Sequence, residues 1–229
     1  MGYCLMGTKI PYHLILIGMA YVMLYYVSSV LDHKLVGLWI FHVPAPFLYF
    51  SFIYILSDAV TEVYGPKMTW TFLISGYVIT VLFSFLTVAI ISLPNPPGNE
   101  FLPIQANYNF LSSTILKCLG DGYLAFFIGI FINVKLLSRW KLKYKGKHYY
   151  WRSLGSTCIS EAVVTVIAQF LIWGNRLPLQ EVVHTIIYGY PFIMVMTILW
   201  AFLGSAIKNI LYMLEGGKEK YDYNRSFSV

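Results

Sequence analysis

Apolar residues run along this chain in six blocks, each closed by a polar or proline-bearing break. A helix that crosses the hydrocarbon core needs about 20 apolar residues. The first block predicts a span over 12–31, ending at Asp32-His33-Lys34. Residues 35–64 are mostly apolar, but Pro44-Ala45-Pro46 interrupts them. Proline opens helices well and continues them badly, so the second span is placed from Pro46 to Tyr64-Gly65-Pro66. Residues 35–43 are then a short interfacial or re-entrant piece. The third span, 69–93, stops at Pro94-Asn95-Pro96-Pro97-Gly98, and a polar loop follows through Tyr108. The fourth is 111–137, the fifth 151–173, closed by Gly174-Asn175, and the sixth 185–212. The expectation is an all-α integral membrane protein. It has a six-transmembrane-helix bundle in one membrane domain, 1–214, and a cytoplasmic tail, 215–229, disordered at its end.

Composition agrees. Of 229 residues, 58% are hydrophobic and only 11% charged, where a soluble domain carries about a quarter charged. Six spans consume the chain and leave no room for a soluble catalytic or ATP-binding domain, and no GxxxxGK[ST] stretch occurs. Energy for any transport must come from an ion gradient, a partner protein or the substrate gradient.

The net charge of +6 sits in the loops, where it reads as a topology signal and not as a nucleic-acid surface. With the amino terminus in the cytoplasm, twelve Lys and Arg fall inside and only Lys34 and Arg176 outside; Lys117 and Lys135 lie in the fourth span. Positive loops stay inside, so both termini are expected in the cytoplasm, with an even number of spans. The basic cluster 139–152 also suits anionic lipid headgroups. Cys4, Cys118 and Cys158 show no metal-ligand spacing and read as reduced packing residues. Lys9 is followed by a full-length apolar run, not by a short one with a cleavage site. No metal or cofactor is expected.

Ionisable residues inside spans are expensive and usually face a protein-lined cavity. Asp58 lies near the middle of the second span, with Glu62 at i+4 on the same face. Lys117 and Asp121 make an i, i+4 pair in the fourth span and read as a structural ion pair. Glu161 sits near the middle of the fifth span. Small polar residues accompany these carboxylates: Ser57, Thr61, Ser156, Thr157, Ser160, Thr165 and Gln169. Their spacing gives the fifth helix one polar face, which must point into the bundle. Aromatics make up 18% of the chain. Carboxylates, amides and aromatic faces together suit a planar heterocycle with adjacent N–H donors. A guanine-like edge, for example, offers two parallel N–H groups to one carboxylate. Asp58 and Glu161 are the first candidates for that edge. Glu62, Asn133 and Gln169 are further polar contacts, and Ser57 and Ser160 complete the candidate set. Arg152, near the cytoplasmic end, is expected to fix the loop or gate release.

The stretch Ser57-Asp58-Ala59-Val60-Thr61-Glu62-Val63-Tyr64-Gly65 resembles the sDxxTEvYG motif of the queuosine precursor transporters, also called the putative vitamin uptake transporter family. A second block is similar to that family too. It comprises Gly129-Ile130-Phe131-Ile132-Asn133, Gly146-Lys147 and Trp151-Arg152-Ser153-Leu154-Gly155-Ser156-Thr157, followed by Glu161 and Thr165. The resemblance spans roughly residues 40–210. It implies an inner-membrane importer of a 7-deazapurine used to make the tRNA base queuosine: 7-cyano-7-deazaguanine, 7-aminomethyl-7-deazaguanine or queuine. Three positions depart from the family pattern: Ile130 replaces a Glu, Val164 an Asp, and Pro191 stands near where a Lys is common. They bear on which base is carried and on ion coupling.

Two other functional classes have recognisable sequence marks. A membrane-embedded lipid-modifying enzyme would show Asp-rich metal motifs, an HExxH or a Ser–His arrangement. Here His13, His33, His42, His148 and His184 are scattered. A substrate-binding subunit of a larger energised importer fits the size, and an ATPase partner on purification would mark it. The expected partners are thus the small-molecule 7-deazapurine, the lipid bilayer and either a second copy or an energising protein, with no nucleic acid.

Overall fold

The computed structural model of the chain describes residues 3–5, 8–31, 34–38, 41–94, 102–174 and 178–216. Six α-helices make up most of them: α1 (Tyr12–Leu31), α2 (Phe50–Tyr64), α3 (Pro66–Ile91), α4 (Leu102–Lys143), α5 (Tyr149–Trp173) and α6 (Leu179–Leu214). Two short antiparallel pairs accompany them. β1 (Tyr3–Leu5) pairs with β2 (Thr8–Ile10) ahead of α1. β3 (Leu35–Leu38) pairs with β4 (Phe41–Pro44), Leu35 opposite Pro44 and Leu38 opposite Phe41. Of residues 35–43, expected as an interfacial or re-entrant piece, the described ones, 35–38 and 41–43, therefore lie in paired strands. A single 3-10 turn, Ala45–Leu48, with Pro46 in its first turn, leads from the hairpin into α2.

Proline and glycine set the breaks. Gly65 ends α2 and precedes α3 with φ 87° and ψ 166°. That left-handed, extended backbone is open to glycine and costly for any residue with a Cβ. Pro66 then starts α3, where its missing N–H is no loss. The chain reverses here with no intervening loop.

Four helices, α3 to α6, are long and apolar enough to cross a membrane. α1 has 20 residues, of which 12–28 form a shorter apolar stretch. α2 has 15 residues, about 22 Å at 1.5 Å per residue, short by itself of a hydrocarbon core of about 30 Å, and the 3-10 turn before it adds about 8 Å. Twelve of those fifteen residues are buried, on every side of the helix. α2 packs against each of the other five helices, while α1, α3, α4, α5 and α6 follow one another around it.

The surface identifies the solvent. On α3 the buried positions are Pro66, Thr69, Leu73, Gly76, Thr80 and Ser84, a stripe of mostly small or polar residues three to four apart. Leu82, Phe83, Phe85 and Leu86 point outward, each more than half exposed. A helix that hides threonine and shows phenylalanine is built for lipid, where small residues let backbones approach closely. The protein is a multi-pass membrane protein with an all-α fold.

Several helices exceed their predicted limits. α4 begins at Leu102, so the polar stretch expected as loop through Tyr108 is helical from 102 onward. Gln105 holds this start, donating to the Ile91 carbonyl at 3.1 Å and to Asn109 Oδ1 at 2.9 Å. α6 begins at Leu179, after Pro178, with Glu181 in its first turn, where a carboxylate suits the helix dipole. Pro191 lies inside α6 without ending it, as membrane helices allow. Residues 217–229 of the expected tail lie outside the described residues.

Helix ends gather consistently. His13 at the start of α1 lies 2.7 Å from the Tyr64 hydroxyl at the end of α2 and 2.9 Å from Glu215 Oε1 just past α6. Tyr64 in turn donates to that same oxygen at 2.8 Å. The end of α4 and the start of α5 join them through Lys141 and Arg152 at Glu62. The start of α1 and the end of α6 therefore sit at one end of the bundle, together with the basic α4–α5 turn.

Candidate functional site

The buried residues of α5 are Tyr149, Arg152, Ser153, Ser156, Thr157, Ser160, Glu161, Val164, Thr165 and Gln169. Steps of three and four make them one helix face, and that face is polar, as the sequence spacing predicted. It looks onto α2 and its carboxylates. Three polar layers result, from the basic end inward.

The first layer is an ion pair. Arg152 donates from Nη1 to Glu62 Oε2 at 3.1 Å and from Nη2 to Glu62 Oε1 at 2.9 Å. Lys141 Nζ sits 3.9 Å from Oε1 and donates to the Glu62 carbonyl. All three side chains are buried. Arg152 also reaches back to the Lys147 carbonyl at 2.8 Å and the Gly146 carbonyl at 3.3 Å. It thereby holds the α4–α5 turn, in which Lys145 and His148 take left-handed backbone with φ 49° and 56°. A guanidinium suits this place because it offers five donors in a fixed fork.

The second layer centres on Asp58, which is fully buried. Asn133 Nδ2 from α4 donates to Oδ1 at 2.5 Å; from α5, Ser153 Oγ donates to Oδ2 at 2.5 Å and Thr157 Oγ1 to the same oxygen at 3.1 Å. No cation pairs with Asp58 among the described residues.

The third layer is Glu161. Thr197 of α6 donates to its Oε2 at 2.5 Å, and the Ser51 hydroxyl of α2 lies 2.9 Å from Thr197 Oγ1. The other carboxylate oxygen, Oε1, is buried with no hydrogen-bond partner among the described residues. A buried carboxylate oxygen without a donor is costly, and Glu161 is one of the residues that line a cavity.

That cavity runs along α5 from Glu161 to Trp173, about 18 Å of helix rise, away from the basic end. Its walls are largely aromatic: Tyr25 of α1, Phe47 of the 3-10 turn, Phe50 of α2, Tyr123 and Phe126 of α4, and Trp173 of α5. Thr165 and Gln169 add polar groups from α5. The interior leaves about 80 Å³ to the centre of a water-sized sphere, where a single water needs roughly 10–15 Å³. It has room for a small planar solute. The described lining carries one carboxylate and no Lys or Arg, so an anionic solute has no counter-charge in it.

The predicted site residues are thus distributed over distinct places. Glu161 and Gln169 line the cavity, and Gln169 Oε1 accepts from Thr185 at 3.1 Å. Asp58 and Asn133 belong to the second layer, and Glu62 to the first. The Ser57 hydroxyl is buried with no hydrogen-bond partner among the described residues, and Ser57 is not in the cavity lining. Ser160 donates into its own helix, to the Ser156 and Thr157 carbonyls. Lys117 is exposed on α4, and the side chain of its expected partner Asp121 lies outside the described residues. Cys118 and Cys158 are free thiols; the side chain of Cys4 lies outside the described residues.

Sequence reasoning missed Lys141, counted as a loop charge, and the Ser51–Thr197 pair. The available signal was slight: Ser51 two turns before Asp58 in the second apolar stretch, and Thr197 within the sixth. Nor could it select the wall aromatics from 19 Tyr, 16 Phe and 6 Trp.

A family model described as Putative vitamin uptake transporter matches residues 44–206 of the chain. This stretch runs from the last residue of β4 into α6 and contains all three polar layers. No curated protein and no solved structure matches the chain.

Proposed function

This chain belongs to the Putative vitamin uptake transporter family, and from that premise we propose that it imports a 7-deazapurine queuosine precursor or queuine. The import would cross the inner membrane, on six spans with both termini in the cytoplasm. The single observation that carries the substrate reading is Glu161 Oε1, a buried acceptor without a donor at one end of an aromatic cavity. Such an atom calls for a ligand N–H. Flat aromatic walls call for a flat ligand, stacked or edge-on. A guanine-like base meets both requirements, and its neutral ring suits a lining with no cation. The motif residues Asp58, Glu62 and Arg152 support the same family member without contacting the base, since none of them lines the cavity.

The orientation reading rests on the common end shared by His13, Tyr64, Glu215 and the basic α4–α5 turn. Cationic segments stay cytoplasmic, and the cavity then extends toward the opposite, external side. The experiment is uptake of labelled 7-cyano-7-deazaguanine, 7-aminomethyl-7-deazaguanine and queuine into cells unable to make queuosine, with and without this protein. Restored tRNA modification at low external base supports the reading. Rescue by an unrelated vitamin alone would replace it.

A further inference from the structure

The Asp58 layer is left without a task by the substrate reading. It lies one helical turn below the cavity: Thr157, which donates to Asp58, precedes Glu161 by four residues on the same face of α5. Both oxygens of Asp58 are engaged, so no substrate edge reaches them as the protein stands. Yet the partners it meets among the described residues are all neutral donors. The buried cations Arg152 and Lys141 are engaged by Glu62, one turn along α2. Hydrogen bonds from an amide and two hydroxyls moderate a buried carboxylate, but they do not neutralise it. A carboxylate at this depth calls for a positive charge of its own.

The groups around it are all oxygen donors of the kind that hold a small hard cation. Asp58 supplies two oxygens, and Ser153 and Thr157 supply hydroxyls that can turn a lone pair inward. Asn133 Oδ1 is buried without a partner among the described residues. Rotation of that amide exchanges its nitrogen for this oxygen, since the two are set by hydrogen bonding alone. Soft ligands are absent from the cluster, and among the described residues no three His, Cys, Asp or Glu group as they would for a transition metal.

We propose that the Asp58–Asn133–Ser153–Thr157 cluster is the site of a coupling cation, a single proton or sodium ion that is bound and released in the transport cycle. Coupling follows from the layout. Asp58 on α2 meets α5 at Thr157, one turn from Glu161; neither carboxylate has a cation partner among the described residues, and like charges so placed oppose each other's ionised form. A cation at Asp58 removes that opposition and leaves Glu161 free to accept the substrate's N–H groups as a carboxylate. Loss of the cation restores the repulsion and favours release. The site does not depend on which base is carried.

Other titratable groups face the cluster and must be separated from it. α2 contributes Tyr54 and Glu62, and α4 contributes Lys141. From α5 come Tyr149, Arg152 and Glu161. α6 contributes Lys208, whose Nζ lies 4.7 Å from the Tyr149 ring centre. A response that survives in Asp58→Asn belongs to one of these.

The test uses the purified full chain in detergent, without substrate. Thermal stability is measured against sodium at constant ionic strength, with choline as the replacement, and separately against pH. A ligand that binds only the folded state raises stability progressively with its concentration. The expected result is a rise with sodium, or with acidification, that is lost in Asp58→Asn; which titration responds identifies the cation. Should Asp58→Asn fail to fold, Ser153→Ala and Thr157→Val keep the carboxylate and remove one hydroxyl each. Both should displace the midpoint of the same titration severalfold. Identical responses in wild type and these variants, or no response to either ion in wild type, would overturn the proposal. In proteoliposomes, a gradient of the responding ion should stimulate uptake of 7-cyano-7-deazaguanine by wild type, and the stimulation should vanish in Asp58→Asn. If wild type takes up none of that base, the substrate reading fails, while the stability titration still decides the cation site.

Discussion

Arg152 grips Glu62 through two parallel hydrogen bonds, at 2.9 and 3.1 Å, where both side chains are about as buried as any in the protein. The pair joins the end of α2 to the start of α5 and stands between the polar layers above it and the basic end. Removing one member of a buried pair leaves the other charge uncompensated, at a cost of about 3–5 kcal/mol. Glu62→Gln and Arg152→Met should each lower the melting temperature and the yield of folded protein. Arg152→Lys should not restore them, because a single ammonium cannot reach both carboxylate oxygens and the Lys147 and Gly146 carbonyls. Melting curves in detergent check this; parental stability for Arg152→Lys would show that charge alone suffices.

The approach of α6 to α2 gives a steric prediction. A Cβ at Gly204 would lie 2.1 Å from Ile55 Cγ2, far inside van der Waals contact, and Ile55 is fully buried. Gly204→Ala should destabilise by roughly 1–3 kcal/mol, the usual range for overpacking. Ile55→Ala removes the obstructing methyl. The double variant should be more stable than the sum of the two single losses predicts. Strict additivity in thermal shifts would mean that the helices simply slide apart.

The charge asymmetry and the shared helix ends make a topology prediction. Reporters fused after Lys147 and after Gly216 should both read cytoplasmic, and one within 95–101 should read external. An external reading at Gly216 would contradict the six-span arrangement.

How much of this was legible in the sequence follows from what each signal measures. Helix ends at Leu31, Tyr64 and Trp173 were readable because charge, glycine and proline mark them chemically. The polar face of α5 was readable because its period survives in an otherwise apolar stretch. The starts of α4 and α6 were not, since helical turns that continue past the apolar block carry Gln105, Glu181 and similar residues, which look like loop. The interior place of α2 was also hidden. α2 has the strongest contrast between polar and apolar faces of the six helices, which reads as a helix with one side turned outward, and only its 15-residue length hints that it is not an ordinary span. Finally, the sequence singles out Asp58, Glu62 and Glu161 as buried acids without saying which already have partners. That distinction depends on Arg152, Ser153 and Thr197, which are far away in the chain from the acids they meet on α2 or α5.

The central claim is that Glu161 receives the substrate's N–H edge, and direct binding tests it with least intervening inference. Titration calorimetry of the purified protein with 7-cyano-7-deazaguanine should give saturable, one-to-one binding. Glu161→Gln keeps the size of the side chain and the contact with Thr197, but replaces one acceptor oxygen by a donor nitrogen. A hydrogen bond to a charged group is worth about 1.5–3 kcal/mol, and 1.4 kcal/mol is tenfold in affinity. The Kd of Glu161→Gln should therefore be at least about tenfold weaker, at unchanged yield and melting temperature. Equal Kd values for wild type and Glu161→Gln would contradict it.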